Sequence, residues 1–551
     1  MASLDLILKA TMVVAAVASG ATLWWLSRPV GPTVRRVRSR LLLGIPWGTL
    51  VTVALVLAVY LFLQRGIVDR YSPLHLPFTS WSYGYPLGMV TAPFAHKSFG
   101  HLVGNLLGTV VLAPVAEYAW SHFPTERGES SFSSWRTNPY LRAFVLFPLG
   151  VVVVALTTSY LHWGPVIGFS GVVFAFAGFA LVRFPVATVL ALVAQNLVGL
   201  AYQSLRQPVV PGEAQVTFSR PSWAGIAVLG HFLGLLLGAL AGALLFRRRT
   251  GLPSAPRLFA GAVLVATLTD LWAIWWYTGP ASFVLYRAAG VAIVLIAGAA
   301  VALVVRAGDR ELIGGVDRRT AATALFVLPL LTVAFVAVPV NYVEVSPDAV
   351  PGGEGHVTVR GYTVTYAEDV PNRRISVVDV SLFNASTNVT ASGLIVVNPH
   401  REVWTQVAPP GELAAERFEV VRVGGVGWER RVLAVRTGWS AAGNGSVFAV
   451  WLRAEGRSFV RSYTSDPATA DPVVAGRNVT VVPRQVVDGP NTTVNYGLRV
   501  WAGNETLGVA AMPVSNQTTS AGGVTFRRRG KQVVAVRNGT RVVVATRESG
   551  I

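Results

Sequence analysis

The chain contains no cysteine and has few charged residues for its length. Of its 551 residues, 13% are Asp, Glu, Lys or Arg and 52% are hydrophobic. The absence of cysteine excludes a disulfide scaffold, a thiolate-bound zinc or iron–sulfur site and a cysteine nucleophile. A soluble protein usually carries about 25% charged residues, so a purely cytosolic enzyme is not expected. The length allows about two to four domains, at roughly 100–200 residues each.

Acidic residues are the scarcer charged class, with 27 against 46 basic residues and a formal net charge of +19. A basic excess can indicate nucleic-acid binding, but its distribution along the chain argues against it here. Residues 1–340 carry 24 basic and 10 acidic side chains, whereas residues 341–551 carry 22 and 17. Most of the excess lies in the half that is otherwise apolar, which is typical of a multi-pass membrane protein. No nucleic-acid partner is expected.

The first 340 residues contain ten stretches that could cross a membrane as helices. Each such helix needs roughly 20 mostly apolar residues, because the hydrocarbon core is about 30 Å thick and a helix rises 1.5 Å per residue. Pro185 separates the fifth stretch from the sixth, since a proline inside a helix breaks or kinks it. The predicted spans are 10–27, 43–64, 100–120, 141–161, 169–184, 186–204, 224–246, 258–278, 285–305 and 321–340.

The chain changes character after Pro339. Short, Val-rich segments follow one another, separated by Gly, Asn, Pro and Asp. Short strands at this spacing predict an all-β, sandwich-like domain. The clearest of these segments are 377–382, 393–397, 431–435, 447–452, 479–483 and 533–536.

Asparagine is distributed unevenly between the two halves. Residues 341–551 contain twelve Asn, eight of them in Asn-x-Ser/Thr sequences, and residues 1–340 contain three, none in that pattern. The pattern accepts N-linked glycans and indicates an outward-facing domain. A Thr-rich β surface with asparagines in its turns is the plainer alternative. The candidates are Asn384, Asn388, Asn444, Asn478, Asn491, Asn504, Asn516 and Asn538.

The positions of arginine predict the same orientation. Cytoplasmic loops carry more Arg and Lys than outer loops. Connections that follow the odd-numbered spans hold 16 Arg, whereas those that follow the even-numbered spans hold five Arg or Lys. Both termini are therefore expected outside the cell membrane. A cleaved signal peptide is the alternative for residues 1–27, since Lys9 precedes an apolar run that ends in small residues.

Few polar side chains interrupt the predicted spans, and polar groups inside a bilayer are costly and tend to be functional. His101 and Asn105 are four residues apart, so they share one face of the third helix. Ser170 is at the outer end of the fifth, where the positive helix end and its free N–H groups favour an oxyanion. With His231 of the seventh span as a base, these residues would form an acyl-transfer site.

Each motif has a plainer interpretation when taken alone. Gly-x-Ser-Gly at 168–171 and the stripe Gly234, Gly238 and Gly242 are typical of closely packed helices. A lone histidine in a span is usually hydrogen-bonded to a neighbouring helix. In the eighth span, Asp270 is expected to form an ion pair with Arg287, because an unpaired buried carboxylate would be costly.

Taken together, the motifs resemble those of the rhomboid intramembrane serine proteases. The resemblance covers about residues 43–246, six predicted spans, and it rests on the order and spacing of several motifs. These are His96-x4-His101-x3-Asn105, Glu117 in the same span, Gly-x-Ser-Gly at 168–171, and His-x2-Gly-x3-Gly at His231, Gly234 and Gly238.

The resemblance implies a catalytic dyad without a carboxylate. Ser170 would be the nucleophile and His231 its general base. The side chains of His101 and Asn105, with the backbone N–H of Ser170, would form the oxyanion hole. Transmembrane or membrane-anchored proteins would be the substrates, cleaved near the outer surface of the cell membrane without a metal or cofactor.

The resemblance also implies structural roles near the site. Gly168 would let the loop bend over the serine, and Gly171, Gly234 and Gly238 would allow close helix packing. Phe174, where the family often has tyrosine, would pack against the base. His96 would tie the first outer loop (about residues 64–100), and Glu117 would bond within its own span. The Trp-Arg pair often found in that loop is absent, since residues 85–90 read Tyr-Pro-Leu-Gly-Met-Val.

The predicted protein is a mainly α membrane protein with a C-terminal all-β domain outside the membrane. Residues 1–42 would form an extra N-terminal transmembrane helix and an Arg-rich cytoplasmic linker, 43–246 a catalytic core of six helices, 247–340 three further helices, and 341–551 the β domain. A catalytically inactive relative that binds membrane proteins is one alternative function. A polytopic transporter with a surface domain is the other.

Overall fold

Long apolar helices make up the first part of the computed structural model of this chain, and antiparallel sheets make up the second. The chain divides into two units, of which the first holds most of residues 1–343 and the second holds residues 344–551. The structure describes all residues except 1, 27–30, 125–127, 210–220, 222–223, 225, 247–251, 280–281, 307–310, 314–315, 343, 353, 374–388, 444, 487–492 and 549–551.

The helical unit contains thirteen α-helices and two short hairpins within the described residues. A π-helical turn (Val59–Leu63) extends the third helix, and another (Arg142–Leu146) joins the sixth to the seventh. The helices are α1 (Ala2–Leu26), α2 (Gly31–Arg40), α3 (Trp47–Ala58), α4 (Pro86–Thr91), α5 (Phe99–Trp120), α6 (Pro139–Leu141), α7 (Phe147–Tyr160), α8 (Ser170–Arg183), α9 (Pro185–Arg206), α10 (Val228–Phe246), α11 (Ala255–Leu268), α12 (Arg287–Arg306) and α13 (Arg318–Asn341). The hairpins are β1 (Trp275–Gly279) with β2 (Ser282–Leu285), and β3 (Glu311–Ile313) with β4 (Val316–Asp317).

Six helical segments within the described ranges are long and apolar enough to cross a bilayer. Three more apolar segments are shorter, namely Trp47–Leu63, Ser170–Arg183 and Ala255–Leu268. The predicted multi-pass character is confirmed, whereas the number of additional spans stays a prediction. The six long segments are Leu4–Thr22, Phe99–Trp120, Pro139–Tyr160, Pro185–Arg206, Val228–Phe246 and Arg287–Val305.

Helix α8 is the buried centre of the helical unit. Eleven of its 14 residues are buried, and α5, α7, α9, α10 and α11 pack around it. The predicted break at Pro185 is confirmed, because α8 ends at Arg183 and Pro185 is the first residue of α9. With 14 residues, α8 is about 21 Å long, shorter than the ~30 Å hydrocarbon core. If Arg183 lies at one membrane surface, Ser170 at the other end therefore lies below the opposite surface.

The eighth predicted span, 258–278, is wrong in extent. Helix α11 ends at Leu268, and Asp270 adopts a left-handed conformation with φ of +55°. The amide of Leu271 donates to the carbonyl of Ala266 at 2.9 Å, which is the hydrogen bond of a Schellman C-cap. The expected ion pair is also wrong: within the described residues Asp270 is exposed and unpaired with Arg287, whose guanidinium lies 5.7 Å from the ring centre of Trp272.

Within its described residues the β unit contains three antiparallel sheets, which confirms the predicted all-β class. One sheet has the order β5-β6-β7-β8. A second has the order β12-β11-β10-β20-β19-β18-β17, with β9 also paired to β10, and a third has the order β13-β14-β15-β16. One short helix, α14 (Pro410–Glu416), precedes β9. The strands are β5 (Val357–Val359), β6 (Tyr362–Pro371), β7 (Thr390–Asn398), β8 (Val403–Ala408), β9 (Phe418–Gly425), β10 (Trp428–Ala441), β11 (Ser446–Ala454), β12 (Val460–Thr464), β13 (Ala468–Ala470), β14 (Asn478–Val486), β15 (Thr493–Ala502), β16 (Glu505–Ala511), β17 (Thr518–Ala521), β18 (Val524–Arg529), β19 (Gln532–Arg537) and β20 (Thr540–Arg547).

The second and third sheets share one apolar core. Buried side chains from both sheets, among them Trp439, Leu498 and Phe526, form a single cluster. Alternate strand residues point to opposite faces, so each sheet directs one apolar face inward. This packing of face on face is the arrangement that the sequence predicts for this region.

The candidate glycosylation sites occupy different positions in the β unit. Asn504, Asn516 and Asn538 are exposed in turns, and Asn478 is half-buried at the start of β14. The remaining candidates, together with the predicted strand at 377–382, lie outside the described residues; they are Asn384, Asn388, Asn444 and Asn491.

A buried ion cluster joins the end of the chain to β10. Glu548 accepts hydrogen bonds from Arg436 at 2.7 Å and 3.2 Å and also from Arg417. The side chains of Arg436 and Glu548 are 6% and 8% exposed. Burial raises the pKa of Glu548, but the hydrogen bonds and charges of Arg436 and Arg417 outweigh it and lower that pKa below its usual value. The cluster therefore stabilises the fold above the unfolded-state pKa, and this contribution is lost as the pH falls through the lower folded-state pKa.

The substitution Glu548→Gln is expected to destabilise the β unit by about 3 kcal/mol at neutral pH, because it leaves two arginines without their buried counter-ion. Hydrogen exchange of the β10 and β20 amides in the full chain measures this effect. Wild-type protection should fall below about pH 4, where the variant should change less. The exposed Glu505→Gln is the matched control, and equal protection in both variants at neutral pH would contradict the assignment.

Candidate active site

A serine and a histidine from different helices are hydrogen-bonded in the helical unit. Ser170 is the first residue of α8, and His231 lies in the first turn of α10. His231 Nε2 is 2.8 Å from Ser170 Oγ. When Nε2 accepts the serine proton, the ring proton is on Nδ1, and this buried atom has no hydrogen-bond partner among the described residues. The pair thus lacks a carboxylate partner within those residues.

An aromatic ring covers the face of the histidine. Phe174 and His231 stack with ring centres 4.3 Å apart and an interplanar angle of 12°. Phe174 is one helical turn after Ser170, so both side chains are on the same face of α8. A phenyl face so close to the imidazole would also stabilise a protonated ring through its quadrupole.

Helices α8 and α10 touch backbone to backbone directly beneath this pair. A Cβ atom on Gly234 would lie 2.0 Å from the carbonyl oxygen of Gly171, and one on Gly238 would lie 2.0 Å from that of Ala175. Any side chain at these positions would separate the helices. The glycine stripe therefore sets the distance between Ser170, next to Gly171, and His231, one turn before Gly234.

Two side chains of α5 face the loop that precedes the serine. A Cβ on Gly168 would lie 2.7 Å from His101 Nε2 and 3.5 Å from Asn105 Nδ2. Gly168 has a φ of +131°, which glycine adopts readily and other residues rarely do. Asn105 is 8% exposed, and its Nδ2 is a buried donor without a partner in the described part of the chain. The first N–H groups of α8 also have no helical acceptor, so several donors converge beside Ser170.

Backbone contacts with the first outer loop fix the segment before Ser170. The amide of Gly168 donates to the carbonyl of Ala92 at 2.9 Å, and the amide of Ser80 donates to the carbonyl of Val166 at 3.1 Å. The hydroxyl of Ser80 accepts from the Val166 amide at 3.0 Å. These bonds hold the segment in place although no regular strand forms there.

The first outer loop is anchored without the missing Trp-Arg pair. The Tyr85 hydroxyl donates to the carbonyl of Pro77 at 2.9 Å, and the indole N–H of Trp81 donates to that of Leu76 at 2.6 Å. The Ser159 hydroxyl donates to the carbonyl of Met89 at 2.9 Å. These contacts tie the loop to itself and to the end of α7.

The predicted bonding of Glu117 within its own span is wrong in detail. Its carboxylate is fully buried and accepts from the amides of Gly48 and Thr49, both at 2.7 Å, at the start of α3. It also lies 2.7 Å from His122 Nε2. Because the amide of Leu42 donates to His122 Nδ1 at 2.9 Å, Nε2 carries the proton and donates to Glu117. A carboxylate at the N-terminus of α3 also suits the helix dipole.

The backbone of His96 contributes to the loop contacts, and the predicted role of its side chain in tying the first outer loop stays a prediction. Its amide and carbonyl bond to the side-chain amide of Gln64, each at 2.7 Å. The imidazole of His96 is buried and lies edge-on to that of His101, with ring centres 5.1 Å apart. It therefore helps to orient His101.

Sequence reasoning missed two residues close to the site, His162 and Asn341. The imidazole of His162 lies against Gly230, since a Cβ there would be 2.8 Å from His162 Cδ2. Asn341, the last residue of α13, is hydrogen-bonded to the segment that contains His162. Nothing in their local sequence distinguishes a polar residue in a connection, or one at the end of a span, from an ordinary surface residue.

A family comparison covers the part of the chain that contains this arrangement. Residues 83–248 match the family model described as Rhomboid domain, and His101, Asn105, Ser170 and His231 all lie within the matched segment. No curated protein and no solved structure matches the chain. The matched segment and the multi-pass helices agree with the resemblance found in the sequence. The chain thus contains a Rhomboid domain at residues 83–248.

Proposed function

We propose that this protein is an intramembrane serine endopeptidase with Ser170 as nucleophile and His231 as general base. The observation that carries the proposal is the 2.8 Å hydrogen bond between His231 Nε2 and Ser170 Oγ. A serine hydroxyl is a weak nucleophile until a base within hydrogen-bond reach takes its proton. The rhomboid family contains inactive members as well as proteases, and the presence of both residues favours activity.

In the proposed reaction, Ser170 Oγ attacks the carbonyl carbon of a peptide bond while His231 Nε2 takes the hydroxyl proton. The tetrahedral oxyanion collapses to an acyl-enzyme, and His231 gives the proton to the leaving amine. Water then attacks the ester with His231 again as base, which releases the new carboxyl end and restores the serine. Phe174, stacked on the imidazole, stabilises the charged ring in place of a carboxylate.

The oxyanion would be stabilised by donors that are already in position. His101, Asn105 and the N–H of Ser170 form the proposed hole, and the N-terminus of α8 adds a partial positive charge. The buried Asn105 Nδ2 has no partner among the described residues, so an arriving oxyanion would satisfy a donor that is otherwise left unpaired. This hydrogen bond would therefore stabilise the transition state more than the bound substrate.

Asn105→Ala is expected to lower kcat by about 10²- to 10³-fold with little change in KM, because it removes one oxyanion donor. Steady-state cleavage of a fluorogenic membrane-anchored substrate measures both constants. Asn196→Ala is the matched control, since Asn196 is an exposed residue of α9. An unchanged kcat for Asn105→Ala, or equal losses in the two variants, would remove Asn105 from the oxyanion hole.

The short α8 helix supports membrane-anchored proteins as substrates. Ser170 lies below one membrane surface if Arg183 reaches the other, so the scissile bond has to enter the lipid region. A helical segment has its carbonyls hydrogen-bonded and must unwind locally before the serine can reach one. Segments that unwind easily near the surface would therefore be cleaved first.

The proposed location is the cell membrane, with the active site and the β unit facing outward. The excess of arginine in the connections that follow odd-numbered spans supports this orientation. The exposed turns at Asn504, Asn516 and Asn538 would accept N-linked glycans, and an inward-facing β unit would not be glycosylated.

The proposed function is tested with the full chain in liposomes and a fluorogenic transmembrane substrate. We expect cleavage that an isocoumarin, a serine-directed inhibitor, abolishes. Cleavage that persists after inhibitor treatment would indicate a different chemistry. Stable co-purification with substrate, without cleavage or inhibitor adduct, would favour an inactive relative instead.

A further inference from the structure

The last helix of the helical unit ends at a buried polar residue. Asn341 is only 3% exposed, although it follows a long apolar stretch. Its side-chain oxygen accepts from the amide of Gly164 at 2.9 Å, and its side-chain amide donates to the carbonyl of His162 at 2.5 Å. The carbonyl oxygen of Asn341 accepts from the amide of Tyr83 at 2.9 Å. Both ends of the side chain and the backbone are therefore engaged.

The partners of Asn341 belong to two segments that border the active site. Gly164 and His162 lie between α7 and Ser170, and Tyr83 lies in the first outer loop. The two segments also contact each other, because the Tyr83 hydroxyl donates to the carbonyl of Tyr160 at 2.6 Å and the two rings stack. Asn341 thus closes a ring of contacts around the outer end of the domain, although it lies outside the matched residues 83–248.

The segment around His162 and Gly164, to which Asn341 is hydrogen-bonded, is connected to both members of the catalytic pair. Toward His231, the ring of His162 lies against Gly230, the residue before the proposed base. Toward Ser170, the chain turns at Gly164, with φ of +74°, and runs through Val166 to Gly168 at the oxyanion site. A shift of this segment would therefore move the base and the loop before the nucleophile together.

We propose that Asn341 is a positioning residue, which holds segment 160–164 so that His231 and Ser170 remain in reacting geometry; this inference rests on the proposed proteolytic function. Asparagine suits the task because one side chain supplies both an acceptor for Gly164 and a donor for His162. Displacements of about 1 Å at a reacting centre can cost about 10²-fold in rate. A helix outside the matched domain would thereby set the activity of that domain.

The test compares Asn341→Ala and Asn341→Asp with the wild type in the full chain. Asn341→Ala should lower kcat about tenfold with KM changed less than about twofold. The ionised carboxylate of Asn341→Asp cannot donate to the His162 carbonyl, but its protonated form supplies the same donor and acceptor as the amide. The kcat of Asn341→Asp, divided by that of the wild type at the same pH, should therefore rise several-fold between about pH 7.5 and pH 5. Burial favours the protonated form of the carboxyl group.

Other groups nearby also titrate, so the informative quantity is the kcat of each variant divided by the kcat of the wild type at the same pH. Asn341→Ala should keep a constant ratio across the same pH range, and Tyr342→Ala, an exposed neighbour, should behave as wild type. The titratable groups on the contacting segments and beside Asn341 are Tyr83, Tyr85, Tyr160, His162, Tyr342 and Glu344. An acid recovery in Asn341→Asp alone supports the inference, and its absence overturns it.

Hydrogen exchange separates this inference from the proposed function. In Asn341→Ala, amides of 160–164 and also of 168–172 should lose protection. Lost protection at 160–164 with unchanged kcat would overturn the positioning role while leaving the protease proposal intact. If the wild type cleaves no substrate and a serine-directed probe labels none of its serines, the proposed function fails. Hydrogen exchange alone then tests the positioning role of Asn341. Loss that extends to 168–172 then supports the positioning role, and loss confined to 160–164 contradicts it.

Discussion

Ser170→Ala and His231→Ala are each expected to reduce cleavage of a transmembrane substrate by at least about 10⁴-fold. The first removes the nucleophile, and the second removes the only base within hydrogen-bond reach of it among the described residues, at 2.8 Å. Because the two groups act as one unit, the double variant should be no less active than either single variant. Cleavage in detergent micelles, with product mass determined, measures all three.

Phe174→Tyr is the control for these two substitutions. It keeps an aromatic face on His231, at a position where the family often has tyrosine, and it should retain most of the activity. Equal cleavage by wild type, Ser170→Ala and His231→Ala would remove the proposed dyad. Loss of activity in Phe174→Tyr as large as in the dyad variants would show that packing, and not the chemistry of the pair, limits the assay.

Gly234→Val is expected to abolish measurable cleavage, although residue 234 takes no part in the chemistry. A Cβ at this position would lie 2.0 Å from the carbonyl oxygen of Gly171, so α8 and α10 would have to separate by more than 1 Å. The separation would lengthen the bond between Ser170 and His231, and about 1 Å of misplacement costs about 10²-fold in rate. Lost packing between the helices would add to this effect.

Two other glycines provide a graded comparison. At Gly242 the nearest atoms to an added Cβ belong to the side chain of Val182 at 3.1 Å, and at Gly150 nothing lies within 4 Å. Cleavage rates and thermal stability should therefore fall in the order Gly150→Ala, Gly242→Ala, Gly234→Val. A Gly234→Val protein with wild-type activity would contradict the proposed role of the close helix contact.

Much of the site could be predicted from the sequence because its parts are local patterns. The spacing of His101 and Asn105 places them on one helix face, and Pro185 marks the end of α8. The glycine stripe indicates where one backbone can approach another. Such patterns predict which faces meet, and the Rhomboid domain match over residues 83–248 covers all of these positions.

The parts that could not be predicted depend on contacts between distant segments. Glu117 bonds to the start of α3, 68 and 69 residues earlier, and helical periodicity carries no information about such a partner. Asn341 reaches His162 from 179 residues away. The end of α11 was missed for another reason, since apolar residues continue past Asp270 and hydropathy alone does not detect the Schellman turn that stops the helix.

Covalent labelling tests the central claim most directly. The full chain in detergent is treated with a fluorophosphonate or an isocoumarin, and the modified residue is identified by peptide mass spectrometry. We predict one adduct, on Ser170, which is absent from Ser170→Ala and strongly reduced in His231→Ala. An adduct on another serine, or cleavage of a transmembrane substrate by protein in which Ser170 cannot be labelled, would contradict the proposed mechanism.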